Sequence, residues 1–241
     1  MTIDTVILDI EGTICPITFV KNILYPYFCN KLPQVLQNLQ FPLDTNDEDP
    51  IVETLLKLSP AINQSSELIV SHFQSLVDKD IKDPILKQLQ GYIWKKGYED
   101  GEIKAPIYLD SIKFIKTWTK INRNNKLYIY SSGSVKAQKL LFAYVNDNDT
   151  TIDLNEYISG YFDITTSGFK TEVQSYLNIL KSIGKQSDAS SVLFLSDNVK
   201  EVEAALKANM QSMIVIRPGN QPLSEQDMKN KLVHSLDELE L

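Results

Sequence analysis

The strongest constraint on the fold is a repeated pattern of short apolar runs that each end in polar side chains. Residues 5–8 form such a run, and Asp9 and then Gly12 follow it directly. Further runs of this kind alternate with segments of helical spacing, and they cover residues 126–130, 191–195 and 212–216. Strands that alternate with helices of this length form a parallel sheet. The sequence therefore predicts an α/β core with strands that run in one direction.

The polar ends of three of these runs are the candidate functional positions. They are Asp9 with Glu11, Ser131 with Ser132, and Ser196–Asn198 with Asp197 at its centre. In a parallel sheet the carboxyl ends of the strands lie along one edge, where ligands bind. Lys170 stands between the second and third of these ends in the chain. Each end by itself is also typical of a turn or a helix cap, but the set of three with a lysine indicates a binding site.

The residue types at these ends suit a phosphate ester and a hard cation. Asp9 and Asp197 carry the carboxylates that Mg²⁺ prefers, since this ion binds proteins through one or two carboxylates plus water and phosphate. The hydroxyls of Ser131 and Ser132 are suited to phosphate oxygens, and the Lys170 ammonium offsets further negative charge. An aspartate beside a metal ion is also able to attack phosphorus and form an aspartyl-phosphate.

The segment from residue 15 to residue 105 has no convincing strand pattern. Its apolar residues recur at helical spacing in several runs. Pro26 and Pro33 are predicted to break the first of these helical segments. We therefore predict an α/β core with an inserted all-helical cap domain, with the core at residues 1–14 and 106–241 and the cap at residues 15–105.

Composition limits the partners and the compartment. The net charge is −7, from 24 basic and 31 acidic residues, and no basic patch is present. This argues against nucleic acid and anionic membranes as partners, and no apolar run is long enough to span a bilayer. The sequence has only two cysteines and no signal pattern, which favours a reducing compartment. We expect the cytoplasm, and the nucleus as a second location. Since core and cap account for the apolar residues, we expect a monomer.

The same strand ends resemble the haloacid-dehalogenase-like phosphohydrolases. The shared pattern is Asp-x-(Asp/Glu)-Gly-Thr at residues 9–13, a serine after the second core strand, a later lysine and a final acidic strand end. Within that superfamily the chain is similar to the enolase-phosphatases of methionine salvage. That closer similarity is carried by residues 9–13, 16–17, 19–21, 89–95, 128–134, 137–142 and 193–197. These segments lie along nearly the whole chain and include the cap.

The resemblance implies a Rossmann-like core and a bifunctional enzyme. Such an enzyme enolises 2,3-diketo-5-methylthiopentyl-1-phosphate and then removes phosphate to give the acireductone 1,2-dihydroxy-3-keto-5-methylthiopentene. It implies one Mg²⁺ per subunit and a small phosphate ester as partner. The implied roles are nucleophile and metal ligand for Asp9, catalysis and a metal ligand for Glu11, a metal ligand for Asp197, substrate binding for Ser131 and Ser132, and catalysis with phosphate binding for Lys170.

Glu11 is the departure from the wider superfamily, whose phosphatases mostly carry aspartate there. A glutamate is one methylene longer, so its carboxyl group occupies a different position relative to Asp9. The sequence leaves the enolisation base open among Glu11, Lys170 and a cap residue. Two other functions also stay open: a phosphatase of the same superfamily for another small phosphate ester, and a receiver-like signalling module that is phosphorylated on aspartate.

Overall fold

The computed structural model describes residues 2–81, 83–148 and 150–241. It divides into two compact units. The first, here called the α/β unit, consists of Met1–Phe19 and Lys104–Leu241, and the second, the helical unit, consists of Val20–Ile103.

Eight strands and eight longer helices make up the regular structure of the described residues. The strands are β1 (Thr5–Leu8), β2 (Lys126–Tyr130), β3 (Val145–Asp147), β4 (Thr150–Ile152), β5 (Gly160–Phe162), β6 (Val192–Ser196), β7 (Gln211–Val215) and β8 (Leu232–Val233). The helices are α1 (Tyr25–Leu36), α2 (Pro50–Leu55), α3 (Ser66–Asp78), α4 (Pro84–Glu99), α5 (Leu109–Ile121), α6 (Val135–Ala143), α7 (Val173–Ser182) and α8 (Val199–Lys207). A π-helical turn at Val20–Leu24 precedes α1, and 3₁₀ turns lie at Asn155–Tyr157, Ala189–Ser191, Asp227–Lys229 and Leu236–Glu238.

Six strands of the α/β unit form one sheet in the order β5-β2-β1-β6-β7-β8. Every neighbouring pair in this sheet is parallel. The predicted α/β class with a parallel sheet is therefore confirmed. The chain passes from β1 to β2 on one side and later reaches β6 on the other, and such a reversal opens a crevice at the carboxyl ends of the strands. The short antiparallel pair β3–β4 lies outside this sheet.

The central strands are apolar because both of their faces are covered. All four residues of β1 and all five of β6 are buried. Helix α5 packs on β2, and α8 packs on β6 and β7. Tyr130, Tyr176 and Phe194 form an aromatic group in the core between the sheet and α7, with Tyr176 and Phe194 ring centroids 5.1 Å apart.

The helical unit is held together by a second apolar core. Its fully buried members include Phe28 and Phe73, whose rings meet edge to face with centroids 6.2 Å apart. The side chains that accept N–H groups at the starts of α2, α3 and α4 are those of Asp49, Ser65 and Asp83. These caps satisfy donors that the helix itself leaves free.

The predicted break of the first helical segment at Pro33 is wrong, whereas the α-helix does begin beside Pro26, directly after the π-helical turn. Helix α1 has Pro26 in its first turn and continues through Pro33. A proline in the first turn removes no hydrogen bond. An interior proline removes one and costs about 3 kcal/mol, but burial of Phe28, Leu32 and Leu36 on the same helix offsets that cost.

Among the described residues, no helix combines the length and the apolar character that crossing a membrane requires.

Candidate active site

Asp9 lies at the carboxyl edge of the sheet, between two neighbouring strands. The register of β1 and β6 pairs Leu8 with Leu195, so Asp9 lies beside Ser196. The Asp9 N–H donates to the Leu195 carbonyl at 2.9 Å, and the Ser196 hydroxyl lies 3.2 Å from Asp9 Oδ2. The Ile10 N–H donates to Asp9 Oδ1 at 2.7 Å. The buried Asp9 carboxylate is therefore held in one orientation.

Lys170 joins Asp9 to a second buried carboxylate. Its Nζ lies 2.6 Å from Asp9 Oδ1 and 2.7 Å from Glu201 Oε2. The Ser196 hydroxyl lies 2.8 Å from the same Glu201 oxygen. Burial lowers the pKa of Lys170, but the charges of Asp9 and Glu201 outweigh burial and raise it overall. Burial and the Asp9 charge raise the pKa of Glu201. Lys170 is therefore a charged ammonium at neutral pH.

The backbone that carries Lys170 is fixed by three hydroxyl groups. They donate to three consecutive carbonyls, each at 2.7 Å: Tyr130 to Gly168, Ser175 to Phe169, and Tyr176 to Lys170. Gly168 has a φ of +109°, and a Cβ there would lie 2.5 Å from the Ser175 hydroxyl oxygen. Glycine is required at this position because it allows both the conformation and the close approach.

Asp197 follows β6 and lies against the turn that follows Asp9. Its N–H donates to Thr13 Oγ1 at 3.1 Å. A Cβ at Gly12 would collide with the Asp197 carboxylate, and Gly12 has a φ of +74°. Burial, and then the negative charges of Asp9 and Glu201, raise the pKa of Asp197 to about 7. Three carboxylates and one lysine thus share this edge of the sheet.

Glu11 belongs to the turn itself. It forms a parallel bridge with Cys15, and the Gly12 N–H donates to the Cys15 carbonyl at 2.8 Å. Burial, and then the charge of Glu11, raise the pKa of the Cys15 thiol. Among the described residues, no three His, Cys, Asp or Glu side chains form a ready metal cluster.

Ser131 and Ser132 lie at the end of β2, the neighbour of β1 on its other side. Leu8 pairs with Ile129, so the same register places Ser131 beside Ile10, the residue after Asp9. Ser131 is buried, and Ser132 is exposed. The turn that carries them leads into α6, so main-chain N–H groups at a helix start lie close to both serines.

Two side chains hold this serine turn. Asp163 Oδ2 accepts the Val135 N–H at 3.0 Å, and the Gln138 amide donates to the Gly133 carbonyl at 2.7 Å. Burial raises the pKa of Asp163, but hydrogen bonds, first of all from Thr165, outweigh burial and lower it overall. Asp163 is thus a permanent acceptor for the start of α6.

The structure brings most of the predicted residues to one edge. Asp9 and Lys170 are in direct contact, and Asp197 lies against the Gly12 turn. Sequence reasoning missed Glu201, which lies one helical turn beyond Asp197. The sequence signal for Glu201 was its position four residues after Asp197, in the first turn of the following helix. That signal is weak, because the helix dipole alone makes acidic residues common in a first helical turn.

Comparison with solved structures first identifies the fold. No family model matches the chain. The crystal structure of the HAD-hydrolase YfnB of Bacillus subtilis, bound to magnesium, covers 99% of the chain and 97% of its own length with a TM-score of 0.59 at 14% identity. This likeness shows the fold of the haloacid-dehalogenase-like hydrolases.

Closer relatives then define the family. The UTR4 protein of Saccharomyces cerevisiae is 49% identical, with a TM-score of 0.83 over 99% of this chain and 100% of that one. Enolase-phosphatase E1 of Candida tropicalis is 59% identical over 245 residues and covers 100% of both chains. The chain belongs to the enolase-phosphatase E1 family. The predicted family and function are confirmed, and the receiver-like alternative is not supported.

Proposed function

We propose that this chain converts 2,3-diketo-5-methylthiopentyl-1-phosphate to the acireductone 1,2-dihydroxy-3-keto-5-methylthiopentene and phosphate, with Mg²⁺ as cofactor. The observation that carries the residue assignment is the buried contact of 2.6 Å between Lys170 Nζ and Asp9 Oδ1. It places a fixed cation against a carboxylate at the edge of a parallel sheet. Family membership supports the substrate, since the relatives are enolase-phosphatases.

The residues that would hold Mg²⁺ are Asp9, Asp197 and the main-chain carbonyl of Glu11, with one ion per subunit. The charges of this structure fit such an ion. Burial and two neighbouring carboxylates raise the pKa of Asp197 to about 7, and a divalent cation would relieve that repulsion. When bound, Mg²⁺ would neutralise phosphate charge and orient the ester.

Asp9 is the nucleophile of the phosphatase step. One of its carboxylate oxygens attacks phosphorus, the bond from phosphorus to the substrate's C1 oxygen breaks, and that oxygen takes up a proton. Water then attacks the phosphorus of the aspartyl-phosphate and releases inorganic phosphate with the free carboxylate. Lys170, which is held as an ammonium, stabilises the negative phosphoryl oxygens. The Ser131 and Ser132 hydroxyls bind the remaining oxygens.

Glu11 is the base that we assign to the enolisation step. That step removes a proton from C1, which lies next to the C2 carbonyl, and leaves a proton on the C2 oxygen. Lys170 is disfavoured as the base because Asp9 and Glu201 hold it in the protonated state. Its charge instead suits the stabilisation of the enolate oxygen. Glu11 lies two residues beyond the nucleophile, in the turn at the carboxyl edge of the sheet, and a positioned carboxylate is a suitable base for a carbon-bound proton.

The proposal also includes a monomer that works in the cytoplasm. Cys15 and Cys29 are both free thiols, which suits a reducing compartment.

Product analysis with the diketo phosphate tests this function. With Mg²⁺ we expect phosphate release together with the ultraviolet absorbance of the enediol, and without Mg²⁺ we expect neither at a comparable rate. Asp9→Asn should reduce phosphate release at least about 10⁴-fold, with the absorbance of the phosphorylated enol still forming. Glu11→Gln should slow both signals together, because enolisation comes first. Phosphate release without the enediol signal, or normal turnover by Asp9→Asn, contradicts the proposal.

A further inference from the structure

A four-residue segment after β7 holds the turn that carries the nucleophile. Arg217 Nε donates to the Thr13 carbonyl at 2.9 Å, and the Asn220 side-chain amide donates to the Gly12 carbonyl at 2.9 Å. Two consecutive carbonyls of the turn are thus bound by the same short segment, although more than 200 residues separate them in the chain.

Arg217 is a buried charge with partners on every side. Its NH2 group lies 2.7 Å from Asp110 Oδ2 and donates to the Ser111 hydroxyl at 3.2 Å, and its NH1 group donates to the His234 carbonyl at 3.1 Å. The guanidinium also stacks over the Tyr108 ring at 4.5 Å. Such full pairing makes the position of the arginine, and so of the Thr13 carbonyl, well defined.

Asn220 is set in place by its donor group alone. Its amide nitrogen donates to Gly12 and, at 3.2 Å, to the Val215 carbonyl. The amide oxygen is buried, and no hydrogen-bond partner for it exists within the described part of the chain. Burying an unpaired acceptor is unfavourable. The hydrogen bonds that Asn220 does make are therefore those of its amide nitrogen, and one of them holds the Gly12 carbonyl.

These contacts fix the backbone of Thr13 and, through it, Asp197. The carbonyls of Gly12 and Thr13 belong to the two peptide planes that flank the Thr13 Cα, so holding both sets its φ and ψ. The Thr13 hydroxyl then accepts the Asp197 N–H, and Gly12 lies against the Asp197 carboxylate. Metal ligands depend on the groups behind them in this way.

We propose that Arg217 and Asn220 are positioning residues for the Mg²⁺ site, which they act on through the Gly12–Thr13 turn. The inference rests on the proposed function, because it takes Asp9, Glu11 and Asp197 as the metal ligands. Neither residue contacts these ligands directly in the described hydrogen bonds. Their loss should therefore weaken metal binding without removing the chemistry.

Calorimetric titration of the full chain with Mg²⁺ alone tests this proposal. Asn220→Ala removes the hydrogen bond to the Gly12 carbonyl together with the one to Val215. Arg217→Lys keeps the charge opposite Asp110 but cannot maintain all four hydrogen bonds. We expect the Mg²⁺ Kd to rise about tenfold for each variant. Saturating Mg²⁺ should restore most of kcat, which a general loss of folding would not allow. Lys113→Gln, at an exposed ion pair of the same unit, is the matched control and should stay within twofold.

Circular dichroism first establishes that each variant is folded. If Arg217→Lys does not fold, Asn220→Ala alone decides the question. A Kd within twofold of the wild type for folded Asn220→Ala overturns the positioning role while the proposed function stands. Failure of the wild-type protein to bind Mg²⁺ would instead overturn the proposed function, and this inference with it.

Discussion

The two units differ in what they bury. Among the described residues, all five buried charged side chains lie in the α/β unit: Asp9, Asp163, Lys170, Glu201 and Arg217. Among its described residues, the helical unit buries two of this polar class, Thr54 and Gln90, and both are neutral. Buried charges are costly unless they are paired. The free-energy cost of burying charge therefore falls on the α/β unit, whereas the helical unit is held together by apolar packing.

Partners explain how the α/β unit tolerates these charges. Lys170 lies between two carboxylates, Arg217 is paired with Asp110, and Asp163 accepts hydrogen bonds from main-chain N–H groups. At Lys170 the charges do not cancel, because two carboxylates meet one ammonium and Asp197 adds a third acid. The candidate site therefore has an excess of negative charge. The Arg217–Asp110 pair has none, because it holds one charge of each sign.

Lys170→Met should have the largest effect. It removes the ammonium that we propose stabilises the phosphoryl group, and we expect kcat to fall about 10³-fold. It also leaves two carboxylates buried together, and breaking a buried ion pair costs about 3–5 kcal/mol. Steady-state phosphate release and urea unfolding measure the two effects.

The double variant Lys170→Met with Glu201→Gln separates stability from catalysis. Removal of the second carboxylate should recover part of the unfolding free energy, because only Asp9 is then left unpaired. Activity should stay low, since the ammonium is still missing. Recovery of activity in the double variant would show that Lys170 serves only to balance Glu201.

Phe73→Ala should lower the stability of the helical unit and leave Mg²⁺ binding unchanged. Phe73 is fully buried and meets Phe28 edge to face, and truncation of a buried phenylalanine costs about 3–5 kcal/mol. The Mg²⁺ Kd should stay within twofold, because every proposed ligand lies in the α/β unit. A rise in the Mg²⁺ Kd of about tenfold, as expected for Asn220→Ala, would mean that the contrast between the units is wrong. His72→Ala, next to Phe73 in the chain but not in the buried core, is the control.

The sheet was predictable because its signal is local. The buried strands are continuous apolar runs, and their polar ends follow directly in the chain, as at Asp9 and Ser131. The β3–β4 pair was not predictable, because Asn146 and Asp147 give it no apolar alternation. Helix α1 was mispredicted at Pro33 because tertiary packing outweighed the local preference. Local patterns thus identify elements where burial and propensity agree.

The candidate site was predictable only in part. Asp9, Ser131, Lys170 and Asp197 each follow a strand or a glycine, but the pairing of Lys170 with Glu201 depends on how α8 packs on β6. Arg217 and Asp110 are distant in the chain, and no spacing rule connects them. The residues proposed to act on the substrate mostly follow strands and are therefore visible in the sequence. The residues that hold them in place are brought there by tertiary contacts, which the sequence does not show.

The binding of Mg²⁺ should weaken as the pH falls. The pKa of Asp197 is raised from its ordinary value of 3.8 to about 7, so below pH 7 a proton competes with the cation. We expect the Kd to rise by up to about tenfold for each pH unit in that range, measured by titration calorimetry between pH 5.5 and about 8. Asp197→Asn should bind more weakly and lose this slope. A slope that persists in Asp197→Asn would assign the titration to another group.

The same shift gives the metal-free protein an opposite dependence. Because the folded pKa of Asp197 lies above its ordinary value, the native state holds more protons between these two values. This contribution stabilises the fold at low pH and is lost as the pH rises toward 7. Thermal unfolding without Mg²⁺ should therefore show a decline over this range that Asp197→Asn reduces. A decline of equal size in Asp197→Asn would mean that other groups cause it.

Lys113→Gln should have the smallest effect, because its ion pair is exposed. Lys113 Nζ lies 2.6 Å from Asp237 Oδ1, with side chains 67% and 52% exposed, and such pairs contribute less than about 1 kcal/mol. The C-terminal segment is held instead by buried contacts, since Asp110 Oδ2 accepts the Leu236 N–H at 2.7 Å. Urea unfolding at low and high salt measures the difference, which should vanish at high salt. A larger loss that salt does not change would mean that the exposed pair, and not Asp110, anchors this segment.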